Sequence, residues 1–431
     1  MLLRFAVSNF RSIHERIELT LEKSKGNELP DHVFTHPHKP LQLLKTAVLY
    51  GANASGKSNL LRAIDALTFL VNRSSGFKPQ QAIPIYEPHK LRTTTWNQAV
   101  TFEIAFVSQG EQYEYLISFS QHQIEHEVLY IQGRRSKMLL FERVHDQPIK
   151  FGDAYKGQKR SIEHLLLKNQ LFLSKAAENN VEVISKAYAF LSFNLLTFQV
   201  LDETEELSLT FSFAQRFLED DHFRNKLNHL VGALDTGIVS LKVEKRDIEV
   251  QIPEGIPPEV RAYIKEMNTY RIKTLHENRD ENGKVHKIAF DLEEESNGTQ
   301  SLLPKSGIIL HVLEKGGTLI IDELERSLHP DITRYLIHLF HSPLTNPHHA
   351  QLVFATHDLS QLTGDAFRRD QVWFVEKDEF GATRLFRASN LGIRADAPLD
   401  KWYASGRLGG TPIINDGSFF IQMQEHEPQT A

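Results

Sequence analysis

The chain has 431 residues, of which 41% are hydrophobic and 24% are charged, a composition typical of a globular protein with two or three cores. It excludes collagen-like, low-complexity and extensively disordered chains. The net charge of −6 argues against a polybasic nucleic-acid binder and leaves a local basic patch open. The chain has no cysteine, which excludes disulfide frameworks, thiolate zinc sites and cysteine nucleophiles.

No apolar run approaches the roughly 20 residues that a membrane-spanning helix requires, so we expect neither a transmembrane segment nor a membrane partner. The N-terminal stretch, residues 1–13, is partly apolar but has no basic region and no cleavage site, unlike a secretory signal. Together with the lack of cysteine, these features predict a cytoplasmic protein.

The N-terminal third predicts strands around one glycine-rich turn. Apolar residues at helical spacing in Asn59–Val71 predict a helix directly after that turn. Strict alternation of apolar and polar residues in Val100–Phe119 predicts a hairpin of half-buried antiparallel strands. The other strands predicted in this part are Leu2–Val7, Lys45–Tyr50, Ile124–Ile131 and Met138–Val144.

The remainder of the chain predicts a mainly helical segment and then mixed strands and helices. Residues 161–234 carry Leu, Ala and Phe at mixed spacing and are expected to be mostly helical. The sequence Glu281-Asn282-Gly283 predicts a hairpin turn. The further predicted strands are Ile238–Val243, Ile248–Ile252, Lys287–Leu292, Thr318–Ile321, Leu352–Ala355, Gln371–Glu376 and Thr383–Arg387, and the predicted helices are Ser301–Glu314 and Asp331–His341.

Residues 51–58 read GANASGKS, a complete G-x-x-x-x-G-K-S phosphate loop between a predicted strand and a predicted helix. Glycines allow the backbone to wrap closely around phosphates, and the N–H groups of the helix N-terminus attract negative charge. Lys57 is expected to contact the β- and γ-phosphates of ATP, and the Ser58 hydroxyl to bind Mg²⁺. A glycine turn that carries Lys-Ser by chance is the weaker alternative. The residues expected to bind the nucleotide are Gly51, Asn53, Ser55, Gly56, Lys57, Ser58 and Asn59.

The predicted strand Thr318–Ile321 ends in two acids, Asp322 and Glu323. A buried strand in this position would deliver Asp322 to the Mg²⁺ ion of a phosphate-loop enzyme. Glu323 would then orient the attacking water and remove its proton. Acids at strand ends are common, so this interpretation depends on the phosphate loop.

Two further polar groups lie where anions bind. His357 directly follows the predicted strand Leu352–Ala355, at the edge where α/β sheets bind ligands, and is expected to contact the γ-phosphate. Ser296 and Gly298 precede a predicted helix, whose N-terminal N–H groups can bind an anion. For this segment on its own, an ordinary helix N-cap is the favoured interpretation.

Histidines and basic clusters carry weaker signals. His122 and His126 lie on a predicted strand, where an i,i+4 pair does not converge, so we expect no metal site beyond Mg²⁺. The basic runs at 134–137 and 156–160 are expected on loops. Solvated surface is the usual interpretation of such runs, and contact with nucleic acid or a partner protein stays open.

The order of these motifs resembles the ATP-binding-cassette (ABC) ATPases, in the branch that contains SMC, RecF and OLD-like proteins. The segment Asn-Phe-Arg-Ser at 9–12, before the phosphate loop, resembles that branch as well. The chain most resembles the RloA-like AAA-family ATPases of abortive-infection and restriction-linked operons. That resemblance includes Leu-Phe-Leu-Ser at 171–174, Glu-x-x-x-His-Pro at 325–330, and Tyr403, Ser405-Gly406-Arg407 and Pro412 near the end.

The resemblance implies an α/β fold: an ABC-type P-loop nucleotide-binding domain with an antiparallel β subdomain and a mainly helical insertion. It also implies ATP and Mg²⁺ as cofactors, with hydrolysis at sites shared across a dimer. The signature reads Ser-Asn-Gly-Thr-Gln rather than Ser-Gly-Gly-Gln, and Gln98 is only a candidate for the Q-loop glutamine. The implied roles are Walker A for Lys57 and Ser58, Walker B for Asp322, catalytic glutamate for Glu323, signature for Ser296 and Gly298, D-loop for Ser327–Pro330 and switch histidine for His357.

We expect residues 1–150 and 285–424 to form the ATPase domain, 151–284 to form the insertion, and 425–431 to be a polar tail. The expected function is that of a nucleotide-gated dimeric sensor or regulator in a bacterial antiphage system of the abortive-infection type. Its expected partners are further copies of itself, in an ATP-sandwiched dimer or a higher oligomer, and a separately encoded nuclease or toxin, and nucleic-acid binding is left open. Two alternatives remain: a RecF-like DNA-repair ATPase, and an ATP-locked scaffold in which hydrolysis is incidental.

Overall fold

The computed structural model describes residues 1–36, 40–198, 213–234, 236–246, 269–392, 397–409 and 411. The predicted polar tail, Pro412 and the predicted strand Ile248–Ile252 lie outside these residues. The described strands, β1 to β18, are Leu2–Ser8, Ile17–Thr20, Val33–Thr35, Gln42–Leu44, Thr46–Gly51, Val100–Ser108, Glu111–Phe119, Ile124–Gln132, Lys137–Val144, Lys150–Phe151, Leu195–Phe198, Ile238–Lys245, Tyr270–Arg279, Val285–Asp291, Thr318–Ile321, Gln351–Ala355, Val372–Lys377 and Thr383–Arg387. The α-helices with defined bounds, α1 to α8, are Lys57–Arg73, Arg160–Leu165, Phe172–Glu178, Glu182–Ala189, Asp221–Gly232, Asn297–Lys315, Pro330–His341 and Leu399–Ala404.

A six-stranded sheet carries the phosphate loop. Its strand order is β11-β15-β16-β5-β17-β18, and its neighbours are parallel except for the antiparallel pair β17 and β18. Ala47 and Leu49 of β5 pack into one core, and Val48 and Tyr50 pack into another. Both faces of the sheet are therefore covered, which explains why its strands are apolar runs without alternation.

A seven-stranded antiparallel sheet, in the order β10-β9-β8-β7-β6-β1-β2, lies beside the phosphate-loop sheet. The predicted hairpin forms as β6 and β7, with Val100 opposite Phe119. These two sheets, together with the helices around them, confirm the predicted α/β class. None of the helices in the described part of the chain combines the length and apolar character needed to cross a membrane.

The expectation that residues 161–234 are mostly helical is wrong at β11, Leu195–Phe198. This strand pairs in parallel with β15, and Leu195 lies opposite Thr318. Four residues are too few to show a periodicity, and the strand is held by a partner more than a hundred residues away. The segment 151–284, predicted as an insertion, thus supplies an edge strand to the phosphate-loop sheet.

The Leu-Phe-Leu-Ser motif begins α3 and is held by a buried acid of β8. The Glu127 carboxylate accepts hydrogen bonds from the backbone N–H groups of Phe172 and Leu173, at 2.7 and 2.9 Å, and from the Tyr115 hydroxyl at 2.8 Å. The first N–H groups of a helix lack partners within the helix, so a carboxylate there satisfies them. Burial raises the pKa of Glu127, and the Arg143 guanidinium at 3.8 Å acts in the opposite direction.

We expect Glu127→Ala to lower the free energy of unfolding by about 3–5 kcal/mol, because it leaves the buried donors of Phe172, Leu173 and Tyr115 without their acceptor and removes the carboxylate beside the buried Arg143 charge. Urea unfolding followed by circular dichroism measures this change. Glu125→Ala is the matched control on the same strand; Glu125 is half-buried and accepts from Gln123, and we expect a change within about 0.5 kcal/mol. Equal effects of the two substitutions would contradict the role given to Glu127.

Candidate functional site

The phosphate loop connects β5 to α1 through a tight turn that requires glycine. Gly56 caps α1 with a φ of 113°, a left-handed conformation. A Cβ atom at this position would lie 2.1 Å from the Thr383 hydroxyl oxygen. The loop therefore packs directly against the start of β18, which leaves no room for a side chain.

Lys57 lies inside the loop, with only 5% of its surface exposed. Its Nζ donates to the carbonyl oxygens of Gly51 at 2.7 Å and Ala52 at 3.1 Å. Burial lowers the pKa of Lys57 to about 8, and nearby carboxylates act in the opposite direction, with Asp322 having the largest effect. The lysine is thus held at the loop with an acid of the next motif close by.

Asp322 and Glu323 follow β15 at the carboxyl edge of the sheet, and both are half-buried. Glu323 has a φ of 51°, so the chain turns sharply directly after the strand. Non-glycine residues in this conformation are uncommon and concentrate at functional sites. The structure therefore brings both predicted acids to the edge where the phosphate loop begins.

His357 emerges between the loop and the acids, because β16 lies between β5 and β15 in the sheet. Burial lowers the pKa of His357, and the Lys57 charge lowers it further. The carboxylates of Glu325, Glu323 and Asp322 act in the opposite direction. The four groups predicted for chemistry, Lys57, Asp322, Glu323 and His357, are therefore close enough to influence one another.

The donor groups at this edge suit a magnesium nucleotide. Ser58 in the first turn of α1 and Asp322 supply a hydroxyl and a carboxylate, the oxygen ligands that Mg²⁺ prefers. The Ser55 hydroxyl is buried in the loop and has no hydrogen-bond partner among the described residues, so it is available to a phosphate oxygen. These residues fit Mg²⁺ and ATP as the expected cofactors.

A hydrogen-bond cluster that the sequence did not predict holds the loop from outside. The Ser12 hydroxyl lies 2.7 Å from the Thr383 hydroxyl and accepts a hydrogen bond from the Asn59 amide at 2.7 Å. Thr383 in turn donates to the Ser55 carbonyl oxygen at 3.0 Å. Ser12 belongs to the Asn-Phe-Arg-Ser segment, a usable signal, whereas Thr383 lies in a strand without any motif.

The predicted signature residues lie at the start of α6. Ser296 is exposed and caps the helix, since its hydroxyl accepts from the Thr299 N–H at 3.2 Å. A Cβ atom on Gly298 would lie 2.8 Å from the Ser327 carbonyl oxygen, so this turn packs against the predicted D-loop. Among the described residues, Ser296 makes no hydrogen bond with the phosphate loop of its own chain. The N-cap geometry is therefore observed, and a role towards nucleotide in a second subunit stays a prediction.

Gln98, the candidate Q-loop residue, is exposed just before β6. Its carbonyl oxygen accepts hydrogen bonds from the Asn9 amide at 3.0 Å and the Tyr86 hydroxyl at 2.9 Å. Its backbone therefore anchors the segment that leads to Ser12. A contact of its side chain with Mg²⁺ remains a prediction.

Comparisons with known proteins agree with the motifs. Residues 47–362, more than two thirds of the chain, match the family described as "AAA domain, putative AbiEii toxin, Type IV TA system". No curated protein matches the chain in sequence.

Three solved structures are similar to the chain. One is an SMC head bound to the C-winged helix domain of ScpA, with 12% identity, coverage of 89% of this chain and 96% of that chain, and a TM-score of 0.43. The SMC head domain from Thermotoga maritima has 13% identity, coverage of 90% and 98%, and a TM-score of 0.40. The recombination mediator RecF with ATP has 13% identity, coverage of 89% and 97%, and a TM-score of 0.31.

We expect Lys57→Ala to reduce ATP hydrolysis by roughly 100-fold or more, because a charge-assisted contact to the phosphates is removed. Phosphate release under saturating ATP and Mg²⁺ measures the loss, and an unchanged circular dichroism spectrum shows that the fold remains. Lys156→Ala, on the exposed surface, is the control and should keep the wild-type rate. Wild-type turnover by Lys57→Ala would contradict the assignment of the phosphate loop.

Proposed function

Since the chain belongs to this AAA-domain family and is an ATP hydrolase of the ABC type, we propose that it is the nucleotide-gated regulator of an antiphage system. In this proposal, ATP and Mg²⁺ close a dimer of the chain, and hydrolysis reopens it. The closed and open dimers differ in their affinity for a separately encoded nuclease or toxin. Nucleotide binding and hydrolysis therefore control that nuclease or toxin.

The proposed chemistry depends on one observation, the convergence of Lys57, Asp322, Glu323 and His357 at a single sheet edge. Glu323 accepts a proton from the water that attacks the γ-phosphorus, and the bond to the oxygen that bridges the β- and γ-phosphates breaks. Lys57 neutralises charge that develops on the departing phosphate oxygens. His357 donates a hydrogen bond to the γ-phosphate.

Ser58 and Asp322 are the residues proposed to hold Mg²⁺, which would neutralise part of the negative charge of the phosphates. The other loop residues predicted for nucleotide, Gly51, Asn53, Gly56 and Asn59, contribute backbone and amide groups around the phosphates. Asn59 also contacts Ser12, so it links the loop to the N-terminal segment.

A dimer is proposed because the signature turn and the D-loop form one surface. Ser296 and Ser327 are both exposed, and Gly298 packs on the Ser327 carbonyl oxygen. Exposed helical N–H groups beside a glycine can approach the phosphates of a nucleotide held by another subunit. We infer that Ser296 and Gly298 complete the site of the opposite subunit.

The dimer proposal predicts that Glu323→Gln, which keeps the shape of the site but cannot take a proton, forms a long-lived dimer with ATP and Mg²⁺. Light scattering measures the mass before and after nucleotide is added. The double variant Ser296→Arg/Glu323→Gln should bind ATP with nearly unchanged affinity and stay monomeric, because the bulky cation blocks closure. An equal loss of binding and dimerisation would instead place Ser296 in the site of its own chain.

The regulatory role is supported by the family description, which names a type IV toxin–antitoxin system, and by the resemblance to RloA-like ATPases. Such ATPases are typically encoded beside a toxin or nuclease. Residues 134–135 and 156–160 include basic side chains that are exposed on the surface. They are available to a partner or to a nucleic-acid trigger.

If a separate protein carries the nuclease or toxin activity, the purified chain with ATP and Mg²⁺ should leave plasmid DNA, single-stranded DNA and tRNA intact while it hydrolyses ATP. Gel electrophoresis and phosphate release measure the two activities in parallel. Cleavage that persists in Lys57→Ala without a second protein would contradict the proposal. A large stimulation of turnover by duplex DNA would favour the RecF-like alternative, and negligible turnover would favour the scaffold.

A further inference from the structure

A second acid, Glu325, contacts the loop that carries His357. The backbone N–H of His357 donates a hydrogen bond of 2.6 Å to Glu325 Oε1. Glu325 lies in the turn after β15, two residues beyond Glu323, whereas His357 follows β16. The contact therefore joins two neighbouring strand ends of the nucleotide site.

This hydrogen bond provides the acceptor for the His357 amide, while the amides on either side of it have other acceptors. The Thr356 N–H donates to the Leu49 carbonyl oxygen at 3.1 Å, and the Asp358 N–H donates to the Thr356 hydroxyl at 3.0 Å. Among the described residues, no hydrogen bond restrains the imidazole of His357 itself. Its position consequently depends on its backbone, and thus on Glu325.

Glu325 is placed in the reactive cluster rather than on the surface. Its second oxygen, Oε2, is buried and has no donor among the described residues. The Glu325 carboxylate raises the pKa of both Lys57 and His357, in each case more than Glu323 does. A buried carboxylate oxygen without a donor costs free energy, so stability alone does not explain this acid.

We propose that Glu325 is a positioning residue for ATP hydrolysis, which acts by holding the backbone of His357 between the phosphate loop and the Asp322–Glu323 pair. The inference rests on the proposed role of His357 at the γ-phosphate, and it adds Glu325 as the residue that orients His357. In this proposal Glu323 accepts the proton of the attacking water, and Glu325 holds the residue after β16 in place through a hydrogen bond.

Two matched variants separate the hydrogen bond from the charge. Glu325→Gln keeps an acceptor at the same reach but loses the charge, and Glu325→Asp keeps the charge but is one methylene too short. We expect Glu325→Asp and Glu325→Ala to lower kcat roughly 10- to 100-fold with KM within about threefold, because a shift of about 1 Å at a reacting group has that effect. Glu325→Gln should stay within about threefold of wild type. Wild-type kcat in Glu325→Asp and Glu325→Ala would overturn the inference, as would a loss in Glu325→Gln equal to that in Glu325→Asp.

A positioning role is distinguished from a merely structural one by the kcat of the double variant Glu325→Ala/His357→Ala. The His357→Ala substitution keeps the backbone N–H but removes the imidazole, so Glu325→Ala should cause no further loss of kcat in that background. Equal losses in the two backgrounds would overturn the inference, and unchanged melting temperatures exclude misfolding. If His357→Ala alone turns over at the wild-type rate, the proposed role of His357 fails and the inference fails with it. A loss in His357→Ala without one in Glu325→Ala contradicts only the inference.

Discussion

Parallel pairing of β5, β16 and β15 is the constraint on which the nucleotide site depends. Ile321 lies opposite Phe354, and Phe354 lies opposite Val48, so β15 and β16 end within one residue of each other and β5 runs two residues further. Because parallel strands run in one direction, whatever follows each of them meets at one edge. The phosphate loop, the histidine and the acids lie close together because each of them directly follows one of these strands.

The N-terminal segment ties the two large sheets together at both ends of this arrangement. At the amino edge, the Gln351 amide donates to the Leu2 carbonyl oxygen at 3.0 Å and accepts from the Leu2 N–H at 2.7 Å. At the carboxyl edge, the Ser12 hydroxyl is hydrogen-bonded to that of Thr383, and Thr383 donates to the Ser55 carbonyl oxygen of the phosphate loop. Buried polar groups such as Gln351 must find partners, so these contacts specify how β1 docks on the sheet.

Sequence alone predicts the parts of the site whose signal is local. The phosphate loop, the Asp-Glu pair and the histidine each follow a short apolar run, so strand and motif are visible within a few residues. The Ser12–Thr383 contact spans 371 positions and the Glu325–His357 contact spans 32, and neither residue type marks its partner. The strand Leu195–Phe198 escaped prediction for the same reason, because only pairing with Thr318–Ile321 makes it a strand.

The turn after β15 carries, within a few residues, both the proposed proton acceptor Glu323 and Ser327 of the proposed dimer surface. Glu323 and Ser327 are both left-handed, with φ values of 51° and 62°, and each such residue costs on the order of 1–3 kcal/mol unless its surroundings hold it. Those surroundings are the His357 amide on Glu325 and the buried Lys305 ammonium, which donates to the Arg326 carbonyl oxygen at 2.8 Å.

The segment at the start of α6 contacts both this turn and β13. Gly298 packs on the Ser327 carbonyl oxygen, and Glu295, three residues before Gly298, lies 2.7 Å from His276 Nε2 on β13. The start of α6 is thus in direct contact with Ser327, and the same short turn carries Glu323 and Glu325. Closure of the proposed dimer on Ser327 would therefore affect the turn that carries both Glu323, the proposed proton acceptor, and Glu325, the proposed positioning residue for His357.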